Sequence, residues 1–343
     1  MAEKYRNILV TGGAGFIGVN FVRMLLEREP GVKVVNLDLL TYAGNPESLG
    51  EYLNHPNHVF VHGDIRDAAM VEKTIKDYGV DGIINFAAES HVDRSITGPG
   101  IFVETNIGGT LNLLQCAKNF GVKRYLQVST DEVYGSLGAQ GIFTEESPLQ
   151  PNSPYSASKT GADMMVRAFH HTFGLDAVIT RCSNNYGPFQ FPEKMIPLCI
   201  NNIINDRQIP VYGDGLQIRD WLYVYDHCTA IWAAFNHAAP GEVFNIGGGN
   251  EKTNLELVRT LLRLLDKPET LITFVKDRPG HDRRYAIDAT RITRRLGWAP
   301  SETFESGMAK TVKWYLDNLS WLARITSGEY QKYYAEVYGA AKR

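Results

Sequence analysis

Residues 127–135 read QVSTDEVYG and set two carboxylates, Asp131 and Glu132, side by side after a strand-like run that ends in Ser129 and Thr130. Adjacent acids at a strand mouth are either a solvated loop or a general acid and a general base. A second pair with chemical potential follows in NSPYSASKTGADMM. Ser153 is a fitting N-cap and Pro154 suits the first helical position, so Tyr155 and Lys159 fall four residues apart on one helix face. A free tyrosine ionises near about 10, and a neighbouring ammonium favours the phenolate. Such a phenolate can take a hydroxyl proton while hydride leaves the same carbon. Taken alone, a Tyr–Lys pair at this spacing is also an ordinary surface feature of helices.

Hydride needs an acceptor, and the N-terminal stretch TGGAGFIG offers a place for one. It follows a strand-like run and opens a helix, with Gly12, Gly15 and Gly18 at GxxGxxG spacing. That pattern serves a tight turn, a side-chain-free approach for a pyrophosphate and close helix–sheet packing. Phe16 and Ile17 belong to the same turn, whose helix N-terminus faces the phosphates with its amides and dipole. Asp38 lies twenty residues beyond Gly18 at the end of the second strand-like run. A carboxylate there accepts from the adenosine ribose hydroxyls and repels a 2′-phosphate, which favours NAD over NADP. The alternative is an ordinary βα turn in which Asp38 caps a loop. Asp64, at the end of the third run, either reaches adenine together with Ile65 or simply forms a turn. The positive ring of an oxidised nicotinamide would favour the Tyr155 phenolate further.

The elements that must position these residues are legible from periodicity. Short Val/Ile-rich runs at 7–12, 33–38, 58–64, 81–88, 124–130 and 176–183 alternate with helical patterns at 16–28, 67–78, 101–120 and 154–173. This alternation predicts an α/β fold, a doubly wound parallel Rossmann-type sheet covered on both faces with right-handed crossovers. After about residue 185 the texture changes. NNYGPFQFPEK and IPVYGDGLQIRDW are rich in Gly, Pro and aromatics and read as binding loops. Helices are expected at 193–205, 225–238, 253–265 and 303–317, and strands at 209–212, 220–224, 242–246 and 271–275. The expected organisation is a cofactor domain over 1–184 carrying the catalytic residues and a smaller mixed α/β substrate lobe over 185–343, with some strands returning to the first domain. A ligand cleft between the two follows.

Composition narrows the class. The 343 residues are 44% hydrophobic with a net charge of −3, enough for a full core and without the basic stripe that nucleic acid requires. Cys116, Cys182, Cys199 and Cys228 are widely spaced in apolar or mixed runs and read as reduced, buried thiols of a cytoplasmic protein. The start, MAEKYRNILVTGG, has too short an apolar run for a secretory signal. No stretch of about 18 apolar residues suggests a membrane span. His and Cys show no ligand spacing, and no metal is expected.

With the glycine motif, the Tyr155–Lys159 helix and the mixed second half together, the chain resembles the extended short-chain dehydrogenase/reductase family over nearly its whole length. That family acts on nucleotide sugars, and the resemblance implies that Thr130 assists Tyr155. A redox pair alone makes a dehydrogenase or an epimerase. A 4-keto sugar, however, has an acidic proton at C5, and a base there with an acid at the C6 hydroxyl would expel water. STDEVYG, NFAAESHVDRSI, TRCSNNYGP, FPEK, RDW and DRPGHDRRYAID together look like the 4,6-dehydratase branch of the family. That likeness implies conversion of dTDP-glucose to its 4-keto-6-deoxy product, with Asp131 as acid at C6 and Glu132 as base at C5. It adds Thr41, Ala87, Ala88, Ser90, Thr105 and Asn185 to the cofactor contacts. It places Arg219, Arg278 and Asn184 on the diphosphate, Lys194 and Met195 in the nucleotide pocket, Pro210, Val211 and Tyr212 along the base, and Asn254 and His281 as further contacts. It also implies a homodimer through the helices at 101–120 and 156–173, which otherwise simply cover the sheet. Read from the residues alone, Arg219 and Arg278 could equally pair with Asp220 and Asp277, and His91 either contacts sugar or cofactor or is structural.

These roles make two physical demands. Adjacent strand residues point to opposite faces, so the backbone must leave the strand at Thr130, or the two acids must approach different sides of the sugar edge. Free Asp is also the stronger acid, about 3.9 against about 4.3 for Glu. A protonated Asp131 beside an ionised Glu132 requires the site to reverse that order by burying Asp131 against its neighbour's charge. Neighbouring alternatives are a 4,6-dehydratase of another NDP-hexose and an epimerase on the same scaffold. A non-catalytic NAD sensor would keep the fold without needing all four of Asp131, Glu132, Tyr155 and Lys159.

Overall fold

The computed structural model describes residues 5–277 and 282–326. Its centre is a sheet of seven parallel strands. The first six are β1 (Asn7–Thr11), β2 (Lys33–Asp38), β3 (His58–His62), β4 (Gly82–Asn85), β5 (Arg124–Thr130) and β6 (Ala177–Cys182). Next in the chain come β7 (Asn184–Tyr186), β8 (Ile209–Tyr212) and β9 (Ile218–Tyr223), which lie outside this sheet, and then its seventh strand, β10 (Val243–Ile246). The spatial order is β10-β6-β5-β4-β1-β2-β3, and all neighbours run parallel. β1, β4, β5 and β6 are almost wholly buried, which is why they read as continuous apolar runs rather than as alternation.

The chain winds outward from β1 to β3 and then returns to place β4 on the other side of β1. That reversal opens a crevice beyond the carboxyl ends of β1 and β4, where ligands of open α/β sheets bind. Helices fill both faces. On one, α1 (Phe16–Arg28) contributes Val19, Phe21, Val22 and Leu25 to a core that also takes in Ile231, Ala234 and Phe235. On the other, α2 (Ala68–Tyr78) and the helical rod before β5 pack Val71, Ile75, Leu113 and Leu114 together with Val166 and Phe169.

That rod covers most of the single helix expected at 101–120. A short helix α3 (Val92–Thr97) precedes it. The rod itself consists of α4 (Pro99–Phe102), a π-helical turn Val103–Gly109 and α5 (Thr110–Asn119). Helix α6 (Pro154–Phe173) starts at a capping box between Ser153 and Ser156 and stops at Gly174 in the left-handed conformation.

The smaller lobe gathers α7 (Met195–Ile204), α9 (Asn254–Leu264) and α11 (Phe304–Asp317) around Ile200, Ile203, Leu257, Leu261 and Met308. Here β9 pairs with β7 and with β11 (Glu251–Thr253), and β8 pairs with β12 (Ile272–Val275). Helix α8 (Val224–His237) packs on α1, and β10 extends the large sheet. Both come from beyond residue 184, so the second half returns structure to the first. α10 (Thr290–Leu296) and α12 (Leu319–Thr326) complete the described residues. No helix among them is long and apolar enough to cross a membrane.

Candidate active site

A cavity of about 410 Å³ runs along the crevice. At one end its wall is the turn between β1 and α1. Gly12 sits at φ +71, and a Cβ there would lie 2.6 Å from the Ala87 amide nitrogen. A Cβ on Gly18 would come within 2.1 Å of the Gly12 carbonyl, so both positions need hydrogen for the turn to close. Gly15 caps α1 without a side-chain hydrogen bond, leaving the first amides of the helix to an anion. Phe16, Ile17, Thr41, Ala87, Ala88, Ser90 and Thr105 line the same cavity. A turn closed by glycines, an uncapped helix N-terminus and an acid at the next strand end fit a dinucleotide.

Asp38 ends β2 and borders the cavity. Its carboxylate accepts from the Ala14 and Leu40 amides at 2.9 and 2.8 Å. Burial raises its pKa, and the two amides partly offset that. Asp64 accepts from the Arg66 amide in a tight turn and from its guanidinium at 2.7 Å, and it lines the cavity with Ile65. Burial pushes its pKa up, but the Arg66 hydrogen bonds outweigh this and leave it lowered.

At the other end stand Thr130, Glu132, Tyr155 and Lys159. The backbone leaves β5 at Thr130 and enters a 3-10 turn, Asp131–Tyr134, with Thr130 as its N-cap accepting from the Glu132 amide at 3.2 Å. Successive side chains of such a turn diverge by roughly 120° rather than by the half-turn of a strand; Glu132 lines the cavity, and Asp131 is not among its lining residues. Asp131 is 2% exposed. Its Oδ1 accepts from the Thr130 hydroxyl at 3.3 Å, and its buried Oδ2 has no hydrogen-bond partner among the described residues. Burial first and the Glu132 charge second push its pKa well above the usual carboxylate range.

Lys159 donates to the Val128 carbonyl at 2.7 Å. Burial lowers its pKa, and Asp163 one turn further along α6 opposes the shift. The pKa of Tyr155 lies well above the usual value because of burial and then the Glu132 charge, and the nearby Thr130 opposes the shift. Among the chain's own groups, burial and the Glu132 charge oppose the phenolate, which the sequence reading expects the ammonium and an oxidised nicotinamide together to favour. Lys159 is engaged on a backbone carbonyl, while burial and a carboxylate hold the phenol protonated.

A second cavity, of about 210 Å³, adjoins the first. Ser90, Glu132, Asn184, Asn185, Glu193 and Lys194 line both. His91, Met195, Pro210, Val211, Tyr212, Arg219 and Asn254 complete the expected residues around the second. Arg219 is buried and donates to the Ile218 and Asp282 carbonyls at 2.8 and 2.9 Å, its guanidinium 4.4 Å over the Tyr285 ring. Asp220 accepts instead from the Gly248 and Asn250 amides, so the exposed Arg219–Asp220 pair is not what forms. His91 caps α3 and also lies 3.8 Å from Glu193. Asn185 is held by His227 at 2.9 Å and by the Ser183 carbonyl. Lys194 donates to the Ser90 carbonyl. Arg278 and His281 lie outside the described residues.

Glu193, Gln190 and Tyr285 are among the lining residues that escaped the sequence reading. Glu193 is buried where the two cavities meet, 3.6 Å from Arg94, with a raised pKa caused chiefly by burial. Gln190 borders both cavities, and Tyr285 carries the Arg219 guanidinium on its ring. FPEKM and RRYAID contain these residues or neighbour them, but nothing in such short stretches announces burial.

Comparison with known proteins gives one consistent picture. The family model described as GDP-mannose 4,6 dehydratase matches residues 9–311. A dTDP-glucose 4,6-dehydratase from Xanthomonas campestris pv. campestris (strain B100) is 52% identical over 341 residues, 94% of this chain and 97% of the relative. The crystal structure of DesIV, a dTDP-glucose 4,6-dehydratase from Streptomyces venezuelae with NAD and TYD bound, superposes with a TM-score of 0.90 at 50% identity, covering 93% of this chain and 99% of that one. A UDP-glucose 4-epimerase from Thermotoga maritima, solved with UDP-glucose, has a TM-score of 0.85 at 31% identity over 91% of this chain and 99% of its own.

Proposed function

This chain belongs to the GDP-mannose 4,6 dehydratase family, and on that premise we propose that it converts dTDP-glucose to dTDP-4-keto-6-deoxyglucose with NAD as a catalytic cofactor. The observation that carries this reading is the 3-10 turn after β5. It sets a buried, proton-retaining Asp131 and the cavity-lining Glu132 next to Tyr155 and Lys159. NAD, when bound, would supply the acceptor for the C4 hydride and the donor for C6. Asp38 accepts from the adenosine ribose hydroxyls, and the amides of the Gly12–Gly18 turn meet the pyrophosphate.

The chain's own residues move the protons. Tyr155, assisted by Thr130, takes the O4 proton as the C4–H bond is lost. Lys159 holds positive charge nearby. Glu132 then removes the C5 proton made acidic by the new ketone, and Asp131 gives its proton to O6. The C6–O bond breaks and water leaves. Hydride return to C6 is matched by a proton returned to C5 from Glu132, and the proton that Tyr155 gained makes good, through solvent, the one that Asp131 gave to the departing water, so the chain ends in its starting protonation state with no net oxidation. Arg219 and Asn184 hold the diphosphate, and Met195, Pro210, Val211 and Tyr212 enclose the base. Binding energy from that remote nucleotide keeps the hexose in place between steps.

The reading carries a cytoplasmic homodimer. Four free, buried thiols suit a reducing compartment. Val103 and Met164 expose apolar surface on the rod and on α6 where a second copy would pack; a protein that sediments as a monomer at micromolar concentration would contradict the pairing. The function itself is tested by giving the protein dTDP-glucose, UDP-glucose and GDP-mannose in parallel without added cofactor. Loss of one water from dTDP-glucose supports the proposal. Inversion at C4 without loss of mass would make the protein an epimerase. Water loss from another sugar alone would reassign the nucleotide.

A further inference from the structure

Beneath the acid–base turn lies a buried polar network that the chemistry above does not use. Tyr134 is the last residue of the turn that begins with Asp131 and Glu132. Its hydroxyl donates to Asn245 Oδ1 on β10 at 2.7 Å and accepts from Arg181 Nη1 on β6 at 3.0 Å. Arg181 Nε in turn donates to Asp163 Oδ2 on α6 at 2.9 Å. Tyr134, Asp163, Arg181 and Asn245 are all at most 4% exposed. A buried ion pair of this kind is weak evidence for stability, because desolvation consumes most of its attraction. What it does provide is direction.

The ties of the turn include Gly135 to the Glu132 carbonyl, Gln150 to the Val133 carbonyl, the Thr130 cap and the packing of Val133 and Tyr134 on Ile287 and Phe143. The redox pair is anchored separately, by the Ser153–Ser156 capping box and by Lys159 on the Val128 carbonyl. We propose that the Tyr134–Arg181–Asp163 network, closed by Asn245, is the positioning device that fixes the Asp131–Glu132 turn against the Tyr155–Lys159 helix, so that Tyr134 serves elimination and not C4 oxidation. The inference rests on the proposed dehydration.

The full-length Tyr134→Phe variant, which keeps the ring stacked on Phe143, is mixed rapidly with dTDP-glucose while reduced nicotinamide is followed by absorbance and the product by mass. The expected result is C4 oxidation within about twofold of the unsubstituted protein and water loss slowed about tenfold, with reduced cofactor accumulating. Asn245→Ala, which removes the acceptor of the Tyr134 hydroxyl together with the Asn245 Nδ2 donor to the Phe143 carbonyl, gives the same partition and stands in if Tyr134→Phe does not fold. Oxidation and water loss falling in proportion would mean a merely structural network and overturn the inference, as would no change in either. If the unsubstituted protein itself removes no water, the proposed function fails first and this inference with it.

Discussion

In the proposed reaction Asp131 has the most specific role of any single side chain. Its raised pKa means that the native state binds this proton more tightly than the unfolded chain does. Stability from this group is therefore fully present below the ordinary Asp pKa and falls as pH rises toward the native one. Asp131→Asn removes that penalty. The variant should melt a few degrees higher at neutral pH while losing about 10²–10⁴-fold in water loss, still reducing bound cofactor on addition of sugar; calorimetry and absorbance check the two halves. Acid and base also pull the pH profile apart. Tyr155 must lose a proton that its surroundings retain, so C4 oxidation rises with pH, while elimination falls as Asp131 ionises. Reduced cofactor should accumulate in alkaline steady state, and a constant level across pH would refute this. At this scale the sequence was informative about residue types and silent about burial. Asp131 and Glu132 were visible as a pair, but Glu193 sits in an exposed-looking FPEK and is buried only because loops from both lobes converge on it.

Elements convert those residues into a site. The βα turn of Gly12–Gly18 was legible because its spacing is forced: a Cβ on Gly18 would need to move by about 1 Å or more to clear the Gly12 carbonyl. Gly18→Ala should lower turnover about a hundredfold, the scale of such a misplacement, and release NAD on gel filtration, whereas an unaltered cofactor content would show the turn to be more plastic. Two features left no trace in the pattern. The π turn Val103–Gly109 lies inside what periodicity reads as one helix, because one extra residue in a single turn is too little to shift a hydrophobic period. The 3-10 turn at Asp131–Tyr134 was posed only as a requirement, since strand propensity continues through Val133 and Tyr134.

The whole molecule joins the lobes through a clasp that no local reading contains. Phe189 holds a positive φ of 66° beside the substrate loop. Arg23 of the dinucleotide helix lies over both the Phe189 and Tyr52 rings, at 5.2 and 4.8 Å. Trp321 of α12 packs on Phe189 and donates to Ser48 at 3.0 Å. These contacts link residues far apart in sequence, which is why the expected boundary at 184 describes the chain and not the packing. Trp321→Ala should cost about 3–5 kcal/mol, read by denaturant unfolding, and a loss below about 1 kcal/mol would show that the clasp is not structural.

The central claim is that hydride leaves C4 and returns to C6 of the same sugar while Asp131 and Glu132 expel water between the two transfers. It is tested most directly with dTDP-glucose deuterated at C4, incubated with the protein without added NAD. The account predicts a product lighter by one water that keeps its deuterium, now at C6. A dehydrated product without deuterium, or a substrate altered in configuration at unchanged mass, would contradict it.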